Sequence, residues 1–457
     1  IENDTFFRQL YDYYLGSGFV CIILSEVCSL LTYLFTITFS TFLATCVDWE
    51  TIHKTEQEKQ VFYTRCMPPQ GRNSIVTFSF SMFMIGFSIH AIRRVFYICE
   101  MYQIRDVWIG ELCLPANTKW VTWQMVIDKY KCKVDGNADE HYIVNRIMRW
   151  DNYFIAMLSK NILSLENYSG TLFTKFKEWN LKAVITHARF RSDGILIKDV
   201  LKSDRDFEYS QRLRKTFIWY GVINLVLAPF AMCALIVYFI YRYVGEYHRN
   251  PKAMGSYAFS PLARWKVRNF NELPHDYVTR LNKIHPRIIE YLAQFSNESW
   301  NIISKFVSFV LGATLLITLI VSFFNPELTL SLFLADKPLI FYAGIFGTIY
   351  VAIGNTEYVK IYKPDEKYTE LISLLDPTPF YGTSPWETMN TSERYAGIRK
   401  LFNYRWLVFL HEIISVIYVP FILVLQLPDK SKDIVNFFRD NSHDDKDLGV
   451  VCTYGIF

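Results

Sequence analysis

The sequence contains no motif for catalysis or nucleotide binding. It has no phosphate-binding loop and no HExxH or GxSxG pattern, so neither ATP-driven transport nor hydrolase chemistry is indicated. Its nine cysteines show no CxxC pairing and no zinc-ligand spacing. The net charge of +4 is too small for a nucleic-acid-binding surface. We therefore predict a protein that performs no covalent chemistry and holds no metal or cofactor.

Other absences narrow the class of membrane protein. No internal repeat is found in the sequence, which gives little support to the inverted-repeat transporter folds. No filter sequence or ring of charged residues typical of ion channels is evident. The first apolar run is too long for a cleavable signal sequence. A channel or transporter is therefore disfavoured, although it stays open as an alternative.

Long apolar runs are the main feature that is present. Each approaches or exceeds the ~20 residues that a helix needs to cross a bilayer. Only 51% of the residues are hydrophobic, modestly above the soluble norm of about 45–50%, so much of the chain must lie outside the membrane. The sequence predicts an integral membrane protein with a large aqueous part, its apolar runs being 27–47, 74–92, 217–240, 306–326, 338–356 and 406–428.

Basic residues beside the runs predict sidedness, because loops rich in Lys and Arg stay in the cytosol. Arg93 and Arg94 close the second run and a basic region follows them, whereas the loop 51–72 balances its charges. We expect the N-terminus and the region after Arg94 to be cytosolic, and this loop to be lumenal. The fourth and fifth runs, joined by residues 325–337, predict a helical hairpin with a short lumenal turn.

The third and sixth runs have basic residues on both sides, which indicates segments that enter and leave the membrane on one face. Pro229 interrupts the third run, which favours a hairpin supported by protein or by a water-filled cavity. The sixth run contains Pro420. We predict an α-helical integral membrane protein with four transmembrane helices, two re-entrant membrane elements and a helical cytosolic portion. The alternative of six crossings would place the basic stretch 242–268 in the lumen.

These assignments divide the chain into segments. Most cysteines fall in membrane or cytosolic positions, where thiols stay reduced, and a lumenal disulfide is an alternative only for Cys46 and Cys66. The transmembrane helices are predicted at 19–47, 74–98, 299–324 and 338–356, and the re-entrant elements at 217–256 and 405–427. The lumenal parts are 48–73 and 325–337. The cytosolic parts are 1–18 (amphipathic), 99–216, 257–298, 357–404 and 428–457.

Polar side chains recur within the first two apolar runs. Spacings of three and four residues place them on one face of each helix. Such stripes either allow helices to pack closely or line a polar path through the membrane, and both interpretations stay open. The members are Glu26, Ser29, Tyr33, Thr36 and Ser40 in the first run, and Ser74, Thr77, Ser81 and Ser88 in the second.

Ionisable side chains at membrane depth cost ~2.5–3.5 kcal/mol each and usually face a partner or a cavity. Glu26 lies near the cytosolic end of its helix, where a salt bridge is an alternative to a functional role. His411 and Glu412 lie early in the sixth run, where an interfacial position is the alternative to one within the membrane. A basic cluster after the third run is either a surface patch for anionic headgroups or a hydrated cavity that accepts them, and it consists of His248, Arg249 and Lys252.

Residues 270–282 carry a recognisable motif. Phe270-Asn271-Glu272-Leu273, followed by His275 and Arg280-Leu281-Asn282, resembles the FNEL-x-H-x4-RLN signature of the autophagy-related protein 9 family of multispanning membrane proteins. The ends of the first run, the segment 250–255 and the Phe437-Phe438-Arg439 segment are similar as well. The resemblance covers essentially the whole chain.

The resemblance implies a homotrimer with four crossings and two re-entrant elements per protomer, which agrees with the charge pattern. It also implies ATP-independent scrambling of phospholipids between leaflets, through a central pore and lateral openings. The implied locations are Golgi- and endosome-derived cytoplasmic vesicles and the preautophagosomal (phagophore) membrane. The implied partners are phospholipids, a bridge-like lipid-transfer protein and other autophagy factors.

Carried over by position, the resemblance maps the basic pore residues onto His248 and Arg249. Relatives can carry more charge here, so a strongly positive lining would depend on Arg249 and Lys252. A trimeric scaffold that shapes vesicles and recruits partners is the main alternative function. The predicted pathway residues are Arg249, Lys252, His248, Asn355, Glu412, His411 and Glu26, with lateral branches lined by Thr36, Ser40, Ser81 and Ser88.

Overall fold

Helices dominate the computed structural model. Between the helices, the described part of the chain forms four short antiparallel strand pairs: residues 191–192 with 195–196, 257–259 with 402–404, 333–334 with 337–338, and 442–445 with 449–452. The structure describes residues 4–45, 74–133, 139–163, 173–188, 191–192, 195–249, 257–293, 295, 298–325, 327, 333–334, 337–353, 390–446 and 448–456.

The helices are α1 (Asp4–Leu15), α2 (Phe19–Thr45), α3 (Ser74–Asp106), α4 (Trp123–Lys133), α5 (Glu140–Ser159), α6 (Lys175–His187), α7 (Asp206–Arg249), α8 (Pro261–Lys266), α9 (Pro274–Ala293), α10 (Glu298–Phe324), α11 (Leu339–Ile353), α12 (Thr391–Leu401), α13 (Arg405–Leu425) and α14 (Ser431–Asp440). The strands are β1 (Arg191–Ser192), β2 (Ile195–Leu196), β3 (Tyr257–Phe259), β4 (Phe333–Leu334), β5 (Lys337–Pro338), β6 (Phe402–Tyr404), β7 (Ser442–Asp445) and β8 (Gly449–Cys452).

Three hydrophobic cores hold the aqueous part together. The first joins α5, α6, α14 and β8 to the start of α7 and the end of α13. The second joins the apolar face of α1 to α4, the end of α3 and the start of α5. The third joins α8, α9 and α12 to the β3–β6 pair. Because α5 contributes to the first two cores and α8 to the first and third, the aqueous helices form one continuous body.

Five helices in the described part of the chain are long and apolar enough to cross a membrane, and they correspond to α2, α3, α7, α10 and α13. Helix α11 has only 15 residues, or about 22 Å, against a hydrocarbon core of ~30 Å. It packs antiparallel against α10, since a Cβ on Gly312 would meet Tyr350 and one on Gly347 would meet Leu315. The two helices therefore form an antiparallel pair, and the lumenal position of the turn between them stays a prediction.

The third apolar run differs from the prediction. Residues 206–249 form one continuous helix of 44 residues that passes through Pro229. A proline within a membrane helix removes one backbone hydrogen bond, and neighbouring helices tolerate this loss. The turn expected at Pro229 is therefore wrong, whereas the re-entrant interpretation of the whole segment is a separate proposal. Two helix ends also differ from the predicted segments: α3 extends to Asp106, beyond the predicted end at residue 98, and α7 begins at Asp206, before the predicted start at residue 217.

Helices α7 and α13 pack against each other in opposite directions. Gly221 lies against Val424 and Pro420, while Phe239 stacks on Phe409 near the other end of the pair. Helix α6 packs along both of them. An aqueous helix thus covers one side of two of the most apolar helices.

Candidate functional site

The predicted pathway residues are only partly visible in the structure. His248 and Arg249 form the last turn of α7, and their side chains lie outside what the structure describes. Lys252 and Asn355 also fall outside the described residues, as do Cys46 and Cys66. The proposed basic cavity therefore stays a prediction, and the geometry of the site rests on Glu26, Glu412 and the hydroxyl stripes.

Glu412 of α13 holds the start of α6. Its two carboxylate oxygens accept hydrogen bonds from the backbone N–H groups of Lys175, at 2.7 Å, and Phe176, at 3.3 Å. The first N–H groups of a helix lack intrahelical partners, and a carboxylate also opposes the positive end of the helix dipole. Glu412 is therefore a cap that attaches the aqueous helix α6 to the apolar helix α13. Its neighbour His411 is partly exposed.

Glu26 of α2 forms an ion pair with Arg94 of α3. The distance from Glu26 Oε1 to Arg94 NH1 is 3.1 Å, and the Glu26 side chain is only 15% exposed. Arg94 Nε also donates to His90 Nε2 at 3.4 Å, and the ring of Tyr33 lies perpendicular to that of His90 at 6.0 Å. These four residues, the Glu26 cluster, place two charges and two polar rings between neighbouring apolar helices.

The depth of the Glu26 cluster follows from its neighbours. Ile22 and Met101 are buried in the second hydrophobic core of the aqueous part, whereas Tyr33 contacts Phe87 further along α2 and α3. Glu26 lies about 10 Å along α2 from Phe19, at 1.5 Å per residue. The cluster therefore lies at the boundary between the aqueous body and the apolar half of α2 and α3.

Polar groups continue along α2 beyond this cluster. The hydroxyl of Thr36 donates to the carbonyl of Thr32, and that of Ser40 to the carbonyl of Thr36. Ser40 Oγ also lies 3.2 Å from the hydroxyl of Tyr241 on α7. The stripe predicted from spacing therefore contacts α3 at one end and α7 at the other.

The stripe on α3 is simpler. The hydroxyls of Ser81 and Ser88 donate to the carbonyls of Thr77 and Met84 on their own helix, and both serines are exposed. These internal bonds lower the cost of a hydroxyl in an apolar environment. The structure brings neither serine to the Glu26 cluster.

The sequence did not indicate two residues that contact the polar stripe of α2, Arg94 and Tyr241. Arg94 indicates sidedness and Tyr241 is one of many aromatic residues in α7, so neither stands out as a binding partner. Their roles depend on how α2, α3 and α7 pack, and spacing within one helix carries no such information. The one indication in the sequence is the charge of Arg94 at the end of an apolar run, because a charge in that position favours an ion-pair partner.

The motif at 270–282 joins distant parts of the aqueous body. Asn271, in a left-handed conformation with φ 55°, accepts from Asn152 Nδ2 at 2.7 Å and donates to the carbonyl of Gly455 at 2.7 Å. Glu272 receives two bonds from the Arg280 guanidinium at 2.6 and 2.7 Å. His275 Nδ1 lies 2.7 Å from the Tyr11 hydroxyl, and burial raises the pKa of that phenol. The motif is therefore structural and lies away from the Glu26 cluster.

Comparisons with known proteins agree along the whole length. The family model for autophagy protein ATG9 matches residues 1–457. Autophagy-related protein 9 of Coccidioides immitis is 31% identical over all of this chain and 52% of its own length. The Saccharomyces cerevisiae protein of the same name is also 31% identical, over 48% of its length. The chain thus spans about half the length of the curated relatives it matches.

The fold agrees as well. The cryo-EM structure of Schizosaccharomyces pombe Atg9 superposes with a TM-score of 0.73 at 27% identity, covering 99% of this chain and 98% of that one. The resemblance carried by the motif at 270–282 is thereby confirmed. The chain belongs to the autophagy-related protein 9 family of autophagy membrane proteins.

Proposed function

We propose that this protein is an ATP-independent phospholipid scramblase of autophagy vesicles, and that it redistributes lipid between leaflets as the autophagosomal membrane expands. The observation that carries the proposal is the polar stripe of α2, which begins at the Glu26–Arg94 pair and ends at the Ser40–Tyr241 contact. A headgroup moved through hydrocarbon alone loses its hydration at high cost. A stripe of polar groups open to lipid lowers that barrier without an energy source.

The length of the stripe fits this role. Glu26 and Ser40 are 14 positions apart on one helix, or about 21 Å at 1.5 Å per residue. The hydrocarbon core is ~30 Å thick, so the stripe covers roughly two thirds of it. Arg249 and Lys252, together with His248, His411, Glu412 and Asn355, remain our candidates for the central part of the pathway.

Membrane topology is part of the same proposal. We infer four crossings, with α7 and α13 as re-entrant elements. Two observations support this: α6 covers one side of both helices, and the β3–β6 pair joins the segments just beyond the end of α7 and just before α13. A helix surrounded by lipid at mid-membrane would not carry an aqueous helix along its side. We also propose a homotrimer that lies in Golgi- and endosome-derived vesicles and at the phagophore, and that receives lipid from a bridge-like lipid-transfer protein.

Reconstitution tests the activity directly. Purified protein is placed in liposomes that carry fluorescent phospholipid in both leaflets, and dithionite bleaches the outer leaflet without ATP or calcium. We expect loss well beyond about half of the signal from vesicles shown to be impermeable to dithionite. A plateau at about half would refute scrambling and favour the scaffold function, in which the large aqueous body recruits partners.

Two sets of variants test the assigned residues. Tyr33→Phe with Thr36→Val and Ser40→Ala removes the hydroxyls of the stripe, and we expect slower scrambling. Thr38→Val is the matched control, because Thr38 is two residues from Thr36 and Ser40 on another face of α2 and, among the described residues, bonds to carbonyls of its own helix. Equal scrambling rates in the stripe variant and the control would refute the assignment of the α2 stripe to the lipid pathway.

The basic candidates have a separate test. Arg249→Leu with Lys252→Leu should slow scrambling while the oligomeric state in size-exclusion chromatography with light scattering is preserved. An unchanged rate in this double variant would exclude both residues from the pathway and leave the α2 stripe as the remaining candidate.

A further inference from the structure

A second polar feature lies outside the proposed lipid pathway. A pocket of about 440 Å³ opens between α6, the α8 segment and α9, within the ~300–1,000 Å³ typical of small-molecule sites. Four cationic side chains line it, and Glu178 is the one carboxylate among its lining residues. The cations are Lys175, Lys182, Arg264 and Arg268.

The cations differ in how far they are neutralised. Asp151 lies 3.6 Å from Lys182 and 3.4 Å from Arg268, and Glu178 lies 3.3 Å from Lys182. In the part of the chain that the structure describes, no carboxylate lies within ion-pair distance of Lys175 or Arg264. Among the described residues, the pocket therefore holds two exposed cations without a direct ion pair, although the Glu412 carboxylate interacts electrostatically with Lys175.

Arg268 forms a largely buried, positively charged part of the pocket wall. Its side chain is only 9% exposed, and its buried Nε has no hydrogen-bond partner among the described residues. Leaving a buried donor unpaired costs about 1–3 kcal/mol, and more for a charged group. Because Nε itself is shielded from solvent, the Arg268 guanidinium favours an anion in the pocket through its positive charge and not through this N–H.

Aromatic rings give the pocket a shape suited to more than a bare anion. Trp265 lies under the Lys182 ammonium at 4.3 Å and beside the Arg268 guanidinium at 5.2 Å. Tyr277 forms another wall, and Trp179 is 61% exposed at the lining. Trp265 and Tyr277 are only 6% and 8% exposed, so Trp179 is the ring placed to hold the carbon face of a polyol ring while the cations hold its phosphate.

The position of the pocket favours a ligand at the membrane surface. Helix α6 packs on α7 through a 2.6 Å hydrogen bond from Asn224 Nδ2 to Asn180 Oδ1 and on α13 through the Glu412 cap. An exposed tryptophan beside Lys and Arg, as Trp179 is here, is typical of the level of lipid headgroups. The Glu412 cap occupies the first N–H groups of α6, so the pocket must bind through side chains.

We propose that this pocket binds the phosphate monoester of a phosphorylated inositol headgroup. A monoester carries about −1.5 to −2 charges at pH 7, which matches the two cations without ion-pair partners. Arg264 and Lys175, both exposed, contact the phosphate, and the exposed ring of Trp179 packs on the carbon face of the inositol ring. The site is separate from the α2 stripe and does not depend on scrambling.

The test uses the purified full chain in detergent and measures binding by calorimetry. The probes are dioctanoyl phosphatidylinositol 4-phosphate, dioctanoyl phosphatidylinositol, soluble inositol 1,4-bisphosphate and inorganic phosphate. We expect the phosphorylated lipid to bind at least roughly tenfold more tightly than the unphosphorylated lipid, because charge-assisted hydrogen bonds to the monoester are lost in the latter. Equal binding of inositol 1,4-bisphosphate would support the same site with a soluble phosphate as its source.

Variants separate the pocket from general charge. Lys175→Gln with Arg264→Gln should weaken binding roughly tenfold or more. Lys175→Arg with Arg264→Lys keeps the charge and should retain binding, which excludes misfolding as the cause. Lys202→Gln with Arg205→Gln removes one lysine and one arginine from another exposed surface and should have no effect. No binding of either phosphorylated probe, or equal losses in the pocket and control variants, would overturn the proposal.

Discussion

The ion pair between Asp4 and Arg149 allows a sharp test of how the aqueous body is stabilised. Arg149 is fully buried and Asp4 is 3% exposed, with Arg149 Nε 2.6 Å from Asp4 Oδ2. The same guanidinium donates to the carbonyls of Val450, at 2.7 Å, and Leu448, at 2.8 Å. One side chain therefore joins α1, α5 and the C-terminal strand pair.

Arg149→Met removes the charge and keeps most of the volume. It leaves the Asp4 carboxylate buried with only Arg146 nearby, at 4.0 Å, and it removes the donors to two carbonyls. Breaking a buried pair in this way costs about 3–5 kcal/mol. At about 2–4 °C per kcal/mol for a body of this size, we expect the unfolding temperature to fall by roughly 6–20 °C in a fluorescence melt in detergent.

A double-mutant cycle separates pairing from packing. Because Asp4→Leu with Arg149→Met leaves no uncompensated charge, it should destabilise less than Arg149→Met alone. Lys198→Gln is the control, since Lys198 forms an ion pair of similar length, 2.7 Å, with Asp444, but its side chain is 69% exposed. If Arg149→Met lowers the melting temperature no more than Lys198→Gln does, the assigned role of the buried pair is refuted.

Two further predictions concern packing and pH. Gly221→Ala should destabilise the α7–α13 contact by about 1–3 kcal/mol, because its Cβ would lie 2.5 Å from Val424 and 3.1 Å from the Pro420 carbonyl. Gly344→Ala is the control and should be neutral, because a Cβ there would have no neighbour within 4 Å. Equal melting temperatures for the two variants would contradict this prediction. Burial lowers the pKa of Lys177 to about 8 in the folded protein, against an ordinary value of 10.5. Between these two pH values the unfolded chain holds a proton on Lys177 that the folded protein has lost. The free energy of unfolding should therefore rise with pH through that window. Lys177→Met should abolish the rise and stabilise the protein at pH 7 by up to about 3 kcal/mol, and melts at pH 7 and 9.5 that show the same pH dependence in both proteins would refute it.

Local patterns predicted the helices well. The apolar runs 306–326 and 338–356 correspond to α10 and α11, and residues 325–337 connect these two helices. The error at Pro229 has a physical reason: a proline weakens a helix locally, but α13 packs along α7 on both sides of the proline and keeps the helix continuous.

The site was less accessible to sequence reasoning. Spacing placed Glu26, Thr36 and Ser40 on one face of α2, but the partners that give this face its character, Arg94 and Tyr241, are 68 and 201 residues away. Likewise, the sequence places Glu412 early in the sixth run without indicating a partner, and its attachment to α6 depends on a contact across 237 residues. Long-range pairing of this kind is not encoded in the local pattern that identifies a helix.

Separation along the chain also has a consequence for biosynthesis. Arg149 reaches its acceptor at Val450 across 301 residues, and α14 and β8 complete the first core from the same late part of the sequence. At about 5–20 residues per second, a ribosome needs roughly 15–60 s to make that stretch. During this interval the apolar face of α5 has left the ribosome without its final neighbours. The newborn protein must therefore be shielded by the membrane-insertion machinery or by chaperones until its last strand pair arrives.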